Sequence, residues 1–148
     1  MTINFQTTDN IEQCLEIRHQ VFVLGQNVPP DLEVDGLDET ARHYIGLDQD
    51  IGLNQAPPIA TCRIRFIDSA AKIERVAVLA SHRGQGIGRK LMEYVIIALA
   101  DEPDINIIKV SAQIAVVPFY ESLGFTAYGP TYPDAGIEHV DMQRPARL

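Results

Sequence analysis

The stretch Lys72–Leu91 reads KIERVAVLASHRGQGIGRKL, and the rest of the chain is organised around it. The apolar run Ile73–Ala80 predicts a strand, and the glycines of Arg83–Gly88 predict a turn before a helical pattern begins. Glycines let a backbone approach a ligand closely, and the unpaired N–H groups of a first helical turn attract phosphate oxygens. Arg83 and Arg89 add positive charge on both sides of the turn. The stretch therefore predicts a cradle for the pyrophosphate of a nucleotide.

The glycine spacing argues against the two commonest nucleotide-binding turns. A Walker-type phosphate loop ends in Gly-Lys-Ser or Gly-Lys-Thr, and the chain contains neither. The dinucleotide fingerprint G-x-G-x-x-G fails because the third glycine, Gly88, comes one residue early. That fingerprint also opens a β-α-β unit, whereas this turn follows a series of predicted strands. Neither ATP nor NAD is the predicted ligand.

Length and composition predict a single globular domain covering residues 1–148. Of these 148 residues, 46% are hydrophobic and 22% are charged. The net charge of −8 argues against a nucleic acid or an anionic membrane as a partner, and it is compatible with a cationic substrate such as an amine. No signal-peptide pattern and no apolar run long enough to span a membrane occurs, so we expect a cytoplasmic protein.

Hydrophobic periodicity predicts a mixed α/β domain. Strands are predicted at Thr2–Thr7, His43–Leu47, Ile59–Ile67, Lys72–Leu79, Ile105–Val110, Phe125–Tyr128 and His139–Met142, and helices at about Ile11–Gly25, Gly86–Ala100 and Ala115–Ser122. The strand Ile59–Ile67 alternates as if half-buried. In the strand after it, Glu74, Val76 and Val78 are predicted to share one face.

The acidic loop Asp31–Glu39 opens like a calcium-binding loop, with acids at alternate positions and a glycine. Its twelfth position is Arg42, where calcium loops require a bidentate Glu, so we exclude calcium. Two interpretations stay open for the loop. It is either a solvated acidic segment, or it lines the mouth of a substrate cleft through Glu33 and Asp35. No cluster of histidines and cysteines has metal-ligand spacing, and no metal is predicted.

Two motifs together resemble the GNAT superfamily of N-acetyltransferases. One is R-x-x-G-x-G, from Arg83 to Gly88, directly after a strand that contains Val76-Ala77-Val78. The other is QIAVVPFYESLGF, Gln113–Phe125, which is similar to N-x-x-A-x-x-F-Y-x-x-x-G-F with Gln113 in place of Asn. The resemblance covers about Ile59–Phe125. It implies a mixed α+β domain: a central, mostly antiparallel sheet flanked by helices, with one parallel pair (about Lys72–Leu79 and Ile105–Val110) that splays apart.

The remaining segments resemble the ElaA-like branch of that superfamily. They read IRHQVFVLGQNVP at Ile17–Pro29, EVDGLD at Glu33–Asp38 and GIEHVDM at Gly136–Met142. This chain has Gly25 where the branch commonly has Glu. With these segments the resemblance spans nearly the whole chain.

The resemblance implies acetyl-CoA as cosubstrate and a primary amine as acceptor. The cofactor-binding residues that it carries over are Val76, Ala77, Val78, Arg83, Gly84, Gln85, Gly86, Ile87, Gly88, Arg89, Gln113, Phe119 and Tyr120. It also implies that a backbone N–H near Val76 stabilises the oxyanion and that Tyr120 protonates the leaving thiolate. On spacing alone, Tyr120 is equally well explained as a core tyrosine packed between Phe119 and Phe125.

Several residues are candidates for the general base. Glu74 either relays a proton through water or forms a cross-strand ion pair with Arg63 or Arg65. Glu33, Asp35 and His139 are the alternatives. A histidine titrates in the right range for a base, although a lone histidine at the start of a strand is more often structural.

The leading functional hypothesis is an acetyl-CoA-dependent N-acetyltransferase in which the amine attacks the thioester directly. Cys14 and Cys62 are predicted to be buried and reduced, so neither is placed as the nucleophile of a ping-pong route. The alternative is a non-catalytic acyl-CoA-binding sensor or interaction module, which would need the cradle but not Tyr120. A small metabolite, an aminosugar and a peptide amine all stay open as acceptors, and exposed edges of the C-terminal strands make a homodimer compatible with the sequence.

Overall fold

The computed structural model describes residues 2–50 and 56–147. The strands are β1 (Ile3–Thr8), β2 (Arg42–Asp48), β3 (Pro58–Ile67), β4 (Ala70–Val78), β5 (Ile107–Gln113), β6 (Thr126–Asp134) and β7 (Ile137–Pro145). The α-helices are α1 (Ile11–Arg18), α2 (Pro30–Glu33), α3 (Ile87–Ala100) and α4 (Val117–Glu121). A π-helical segment, His19–Leu24, continues α1, and short 3-10 turns occupy Ala80–His82 and Ile114–Val116. In the described part of the chain, no helix is long and apolar enough to cross a membrane.

The strands form one seven-stranded sheet in the order β1-β2-β3-β4-β5-β7-β6. Every neighbouring pair is antiparallel except β4 and β5, which are parallel. The predicted α+β fold with one parallel pair is therefore confirmed.

Helices cover both faces of β3, which corrects the expectation of a half-buried strand. Cys62 and Ile64 lie in the core that also contains the buried stripe of α3. Thr61 and Arg63 point to the other face, toward α1, and are 1% and 0% exposed. The alternation of polar and apolar residues wrongly predicted an exposed face, because Arg63 is buried against charged partners and does not contact water.

A β-bulge interrupts β4 at Arg75. The register pairs Arg63 with Glu74 but Thr61 with Ala77, so β4 carries one more residue than β3 over this interval. Arg75 has a φ of 55°, a left-handed conformation that side chains other than glycine rarely adopt. Bulges of this kind bend a strand and re-aim its side chains.

The bulge overturns the prediction that Glu74 shares a face with Val76 and Val78. Glu74 faces the side of α1, and so does Ala77, which packs against Ile17 and Val21. Val76 and Val78 pack instead against the core under α3. Simple alternation places these residues together, and only the extra residue at the bulge separates them.

Below the bulge, β4 and β5 form a short parallel ladder, Ala70–Ile73 with Ile107–Val110. Above it the strands separate, while β5 stays paired with β7 along its whole length to Gln113. The resulting opening, called here the β4–β5 gap, runs between Glu74–Val78 and Ser111–Gln113. It is the splayed pair that the resemblance implies.

The C-terminal hairpin is longer than predicted. β6 continues past Tyr128 through the segment predicted to be a loop, with an irregular register between Tyr128 and Tyr132 that accommodates Gly129 and Pro130. Proline is tolerated here because β6 is the edge strand and has no outer ladder to complete. The extra length brings Tyr132 opposite His139.

Candidate active site

A cleft of about 460 Å³ opens at the β4–β5 gap. The residues that the sequence predicted for the site and that line this cleft are Glu33, Glu74, Val76, Ala77, Val78, Arg83, Gln113, Phe119, Tyr120 and His139. Asp35 is not part of its wall. The turn Gly84–Arg89 follows Arg83 at the rim and does not line the cleft itself.

The turn after Arg83 presents its backbone N–H groups without partners. Gly84 and Gly86 have φ values of 77° and 76°, where a Cβ would be strained, and the space around both is open. Lys90 N–H bonds the carbonyl of Gly86 at 3.1 Å, but within the described ranges no acceptor is found for the N–H of any residue from Gly84 to Arg89. A row of unpaired donors at the N-terminus of α3 fits a pyrophosphate.

The two arginines beside the turn have different partners. Arg83 is exposed, and its Nε donates to the carbonyl of Val78 at 3.0 Å, which holds the guanidinium at the rim of the cleft. Arg89 donates to the hydroxyl of Ser122 and lies 5.8 Å from the centre of the Phe119 ring. Its side chain therefore ties α3 to α4, and its contribution to the cradle is the backbone N–H.

The upper part of β4 has free backbone donors on the side of the gap. Leu79 N–H bonds the carbonyl of Ile59 at 2.9 Å, and Ala77 lies opposite Thr61 in the same ladder. Because N–H groups alternate sides along a strand, those of Val76 and Val78 face away from β3, toward the gap. An extended chain could bond them as an additional strand would.

The position of Tyr120 is compatible with both roles that the sequence left open. Its ring packs edge-on against Phe119 and Phe125, with centroids 5.2 and 5.7 Å away. Within residues 2–50 and 56–147 its hydroxyl has no hydrogen-bond partner, and the residue lines the cleft. Burial raises the pKa of Tyr120 to about 12. The phenol is therefore protonated at neutral pH and can donate.

On the opposite side of the cleft, a backbone carbonyl selects the tautomer of His139. Its Nδ1 lies 2.6 Å from the carbonyl oxygen of Ile137, which can only accept, so Nδ1 carries the proton. Nε2 of the neutral ring then keeps its lone pair. The imidazole is 8% exposed and stacks on Tyr132, with ring centroids 6.1 Å apart and planes at 22°.

Tyr132 is a site residue that sequence analysis missed. Its hydroxyl donates to Asp141 at 2.6 Å and also bonds the hydroxyl of Ser111. Burial and the bond to Asp141 raise the pKa of Tyr132. The sequence analysis predicted a loop after Tyr128, so it did not pair Tyr132 with His139. If the hairpin is extended to a tight turn at Ala135-Gly136, the strand register places these two residues opposite each other.

A second missed residue, Gln26, reaches across the cleft to Gln113. The two side-chain amides pair reciprocally, with N···O distances of 3.1 and 3.5 Å. The partners are 87 residues apart in the chain, which explains why no local pattern indicated the contact. The pair joins the segment after α1 to the end of β5.

Four arginines and four carboxylates form a connected set beneath the cleft, called here the arginine–carboxylate network. Its members are Arg18, Arg63, Arg65, Arg75, Glu33, Asp35, Asp38 and Glu74. Glu33 receives Arg18 at 2.8 Å and Arg75 at 2.7 Å. Asp38 receives Arg18 at 2.6 Å and Arg63 at 3.1 Å. Three acids of the acidic loop are thus bound by arginines, whereas Asp31 and Glu39 at its ends are exposed.

The network contains the ion-pair partners that the sequence predicted for Glu74. Its carboxylate accepts from Arg63 at 3.1 Å and from Arg65 at 2.5 Å. Burial alone would raise the pKa of Glu74, but the bond from Arg65 and the charge of Arg63 outweigh it and hold the pKa below its ordinary value. The bond from Arg63 likewise lowers the pKa of Asp35. Glu74 thus forms the predicted ion pairs, and a carboxylate stabilised in this way is a weaker base.

Both cysteines are free thiols outside the cleft. Cys14 and Cys62 are 0% and 1% exposed, and burial raises the pKa of each. Neither thiol lines the cleft. Among the described histidines, cysteines and acids, no group of three is placed to hold a metal ion.

Comparison with known proteins agrees with this geometry. A family model described as the acetyltransferase (GNAT) domain matches residues 48–145. The uncharacterised N-acetyltransferase YjcF of Bacillus subtilis is 33% identical over 137 residues, 92% of this chain and 93% of the relative. The crystal structure of Escherichia coli ElaA superposes with a TM-score of 0.80 at 27% identity, covering 97% of this chain and 99% of that one. An acyl-CoA N-acyltransferase from Pseudomonas aeruginosa gives 0.84 at 26% identity, with the same coverage.

Proposed function

The chain belongs to the GNAT acetyltransferase family, and we propose that it moves an acetyl group from acetyl-CoA to a primary amine by direct attack of the amine on the thioester. The observation that carries the proposal is the continuity of the cleft. It extends from Arg83, beside the unpaired N–H groups of the turn, through the β4–β5 gap to His139. A donor and an acceptor can therefore meet inside one cavity.

The donor end would bind through the backbone. The N–H groups of Gly84–Arg89, with the guanidinium of Arg83, suit the charge of a pyrophosphate. The N–H groups of Val76 and Val78 suit an extended amide-containing arm lying in the β4–β5 gap. Acetyl-CoA, when bound, supplies an acyl group activated as a thioester.

The reaction requires two proton transfers, the formation of a C–N bond and the cleavage of a C–S bond. A C–N bond forms as the neutral amine attacks the carbonyl carbon, and the C–S bond breaks as the thiolate leaves. Val76 N–H would stabilise the charge that develops on the carbonyl oxygen. His139 Nε2 would accept the proton released by the amine, and the Tyr120 hydroxyl would give a proton to the sulfur.

His139 is preferred over the carboxylates as the base. Its acceptor nitrogen has its tautomer set by Ile137, whereas Glu74 and Glu33 are each held by two arginines. A free lone pair in the cleft suits proton abstraction better than a carboxylate already neutralised by guanidinium groups.

Release of free thiol from acetyl-CoA, measured with a panel of primary amines, tests the function. We expect amine-dependent release. Tight CoA binding with no release for any amine would overturn the proposal in favour of a non-catalytic acyl-CoA-binding module, which the present comparisons do not favour.

The role of His139 is tested with His139→Gln, which keeps a polar side chain but removes the base. We expect kcat/KM for the amine to fall about 10²–10⁴-fold and its pH profile to change. The affinity for CoA should stay unchanged. His19→Gln is the matched control, because His19 is exposed and lies outside the cleft. An unaltered pH profile in His139→Gln would assign the base elsewhere.

A further inference from the structure

We infer that the acceptor is a primary amine with a single positive charge on an apolar alkyl or aryl body, not a polyamine or an aminosugar with several ammonium groups. The inference rests on the proposed acetyl transfer and names the substrate class of the same cleft. Two separate properties of the described residues carry it: the charge balance of the arginine–carboxylate network and the apolar side chains in the wall of the cleft.

The first property is that the acidic loop brings no unpaired carboxylate to the network. Each of its carboxylates in the network is bound by an arginine at close range: Glu33 by Arg75 at 2.7 Å, Asp35 by Arg63 at 2.8 Å and Asp38 by Arg18 at 2.6 Å. A polycation would have to displace these arginines, two of which are essentially inaccessible, and leave their charges buried and unpaired.

Lys72 adds a positive charge next to the arginine–carboxylate network. It lines the cleft, and its Nζ lies 3.7 Å from Glu74, which already holds two arginines. Counted with the network, four carboxylates face five cations. The net charge of −8, which made a cationic substrate attractive, therefore does not describe the surface that meets the acceptor.

One carboxylate in the cleft wall lies outside these pairs. Asp134, at the end of β6, is exposed and lines the cleft, and none of the described cations forms an ion pair with it. A single carboxylate at the rim suits a single ammonium group on its way to His139. An anionic acceptor is disfavoured in turn, because it would compete with Glu33 and Asp35 for Arg75.

The second property is an apolar wall contributed by the N-terminal third of the chain. Phe22 on the π-helical segment, Val28 in the following loop and Leu32 on α2 all line the cleft. Phe22 and Val28 are half-buried, and Leu32 is 52% exposed. Covering such surface with an apolar body gains about 25 cal/mol for each Å² removed from water. These apolar side chains therefore favour binding of a hydrocarbon body and provide no partner for additional ammonium groups.

The test compares acceptors that differ in one property at a time. Hexylamine and phenethylamine are apolar monoamines, ethanolamine is a small polar monoamine, and spermidine and kanamycin carry several charges. Thiol release from acetyl-CoA gives kcat/KM for each. We expect the apolar monoamines to exceed the other acceptors at least tenfold. A preference for spermidine or kanamycin would overturn the inference and leave acetyl transfer standing, whereas no release with any amine would overturn both.

Variants of the wall then locate the selectivity. Phe22→Ala and Leu32→Ala should each lower kcat/KM for hexylamine several-fold while leaving ethanolamine unchanged. Leu32→Ala alters an exposed side chain, so it keeps the test valid if Phe22→Ala folds poorly. Leu24→Ala is the matched control, since Leu24 is 67% exposed and does not line the cleft. An equal fall for hexylamine and ethanolamine in both wall variants would contradict the inference.

Discussion

The two ends of the cleft are built in different ways. The proposed donor end, which includes the turn at the rim, is the continuous stretch Val76–Arg89 and offers mainly backbone N–H groups. The acceptor end is made of side chains from distant segments, such as the pairing of Arg75 with Glu33 across 42 residues and of Gln113 with Gln26 across 87. A substitution at the donor end therefore acts through backbone shape, whereas one at the acceptor end acts through charge and contact.

This difference explains why one end was visible in a motif and the other was not. Backbone donors require only that the chain turn sharply and start a helix, which the glycine spacing of a short segment can encode. A buried guanidinium requires a carboxylate in a particular place, and that place depends on how α1, α2 and β3 pack together. Breaking each end in turn is the sharpest way to examine the contrast.

The largest expected effect comes from Gly86→Glu at the donor end. The new carboxylate would face the pyrophosphate, and like charges placed together cost several kcal/mol, so CoA affinity should fall about a thousandfold. Calorimetry with CoA measures the loss.

Gly129→Glu is its matched control. Gly129 has a φ of 74° with open space around it, so this variant carries the same backbone strain without a pyrophosphate site beside it. Its CoA affinity should equal that of the wild type. Unchanged affinity in Gly86→Glu itself would mean that the cradle lies elsewhere.

Tyr120→Phe tests the proposed proton donor, which lies between the donor end and the acceptor end of the cleft. The ring contacts with Phe119 and Phe125 survive, but the proton donor is lost, so kcat should fall by about 10² while the KM for acetyl-CoA stays within a factor of about two. Steady-state kinetics with a saturating amine measures both values. Tyr128→Phe serves as the control, because that ring lies beside Lys109 and does not line the cleft. An unaltered kcat in Tyr120→Phe would leave the tyrosine with a packing role alone.

The smallest expected effect is on stability, and it probes the acceptor end. The folded-state pKa of Glu74 is lowered, so the unfolded chain binds more protons in acid. The stabilisation by Glu74 is therefore complete above its unfolded pKa of about 4.3 and is lost as the pH falls through the lower folded value. Glu74→Gln should cost about 1.5–3 kcal/mol at pH 7, and the Tm difference from wild type should shrink toward pH 3.

Thermal unfolding of both proteins at pH 7 and pH 3 makes this comparison. Glu93→Gln, at an exposed position on α3, should leave Tm unchanged at either pH. A Tm difference between Glu74→Gln and wild type that stays constant across this range would show that Glu74 contributes through packing and not through its charge.

Much of the fold could be predicted because its elements are locally encoded. The apolar stripe of α3 and the apolar runs of β3 and β4 follow regular periods, and the predicted bounds differ from the observed ones by a few residues. Two of the features that escaped prediction show why. The bulge places Arg75, a non-glycine residue, at positive φ, which no propensity indicates. β6 continues through Gly129-Pro130 because an edge strand tolerates an irregular register.

The residues of the candidate site likewise fall into two groups, those marked by a local motif and those placed only by the tertiary structure. Arg83–Gly88 and Tyr120 stand in compact motifs. Arg83 and Tyr120 line one cleft, the rest of the turn lies at its rim, and their roles stay predictions. His139 could be named as a base candidate but not ranked, because its tautomer depends on the carbonyl of Ile137 and on a ring supplied by Tyr132. Ser111 had no signal in the sequence, and Gln26 stood in the segment Ile17–Pro29 without being singled out.

By itself, the sequence determined that a strand ends in a glycine-rich turn at Lys72–Leu91 and opens a helix whose first N–H groups have no partner. The strand, the turn and the start of the helix depend only on residues adjacent in the sequence and on backbone geometry. Only the tertiary structure decided which charges are free. Arg18 and Arg63 meet Glu33, Asp35 and Asp38 because α1, α2 and β3 pack together, and ion pairing depends on distances of a few ångströms that no local pattern contains. The three acids of the loop that face these arginines are thereby neutralised, which is the basis for inferring an apolar amine as the acceptor.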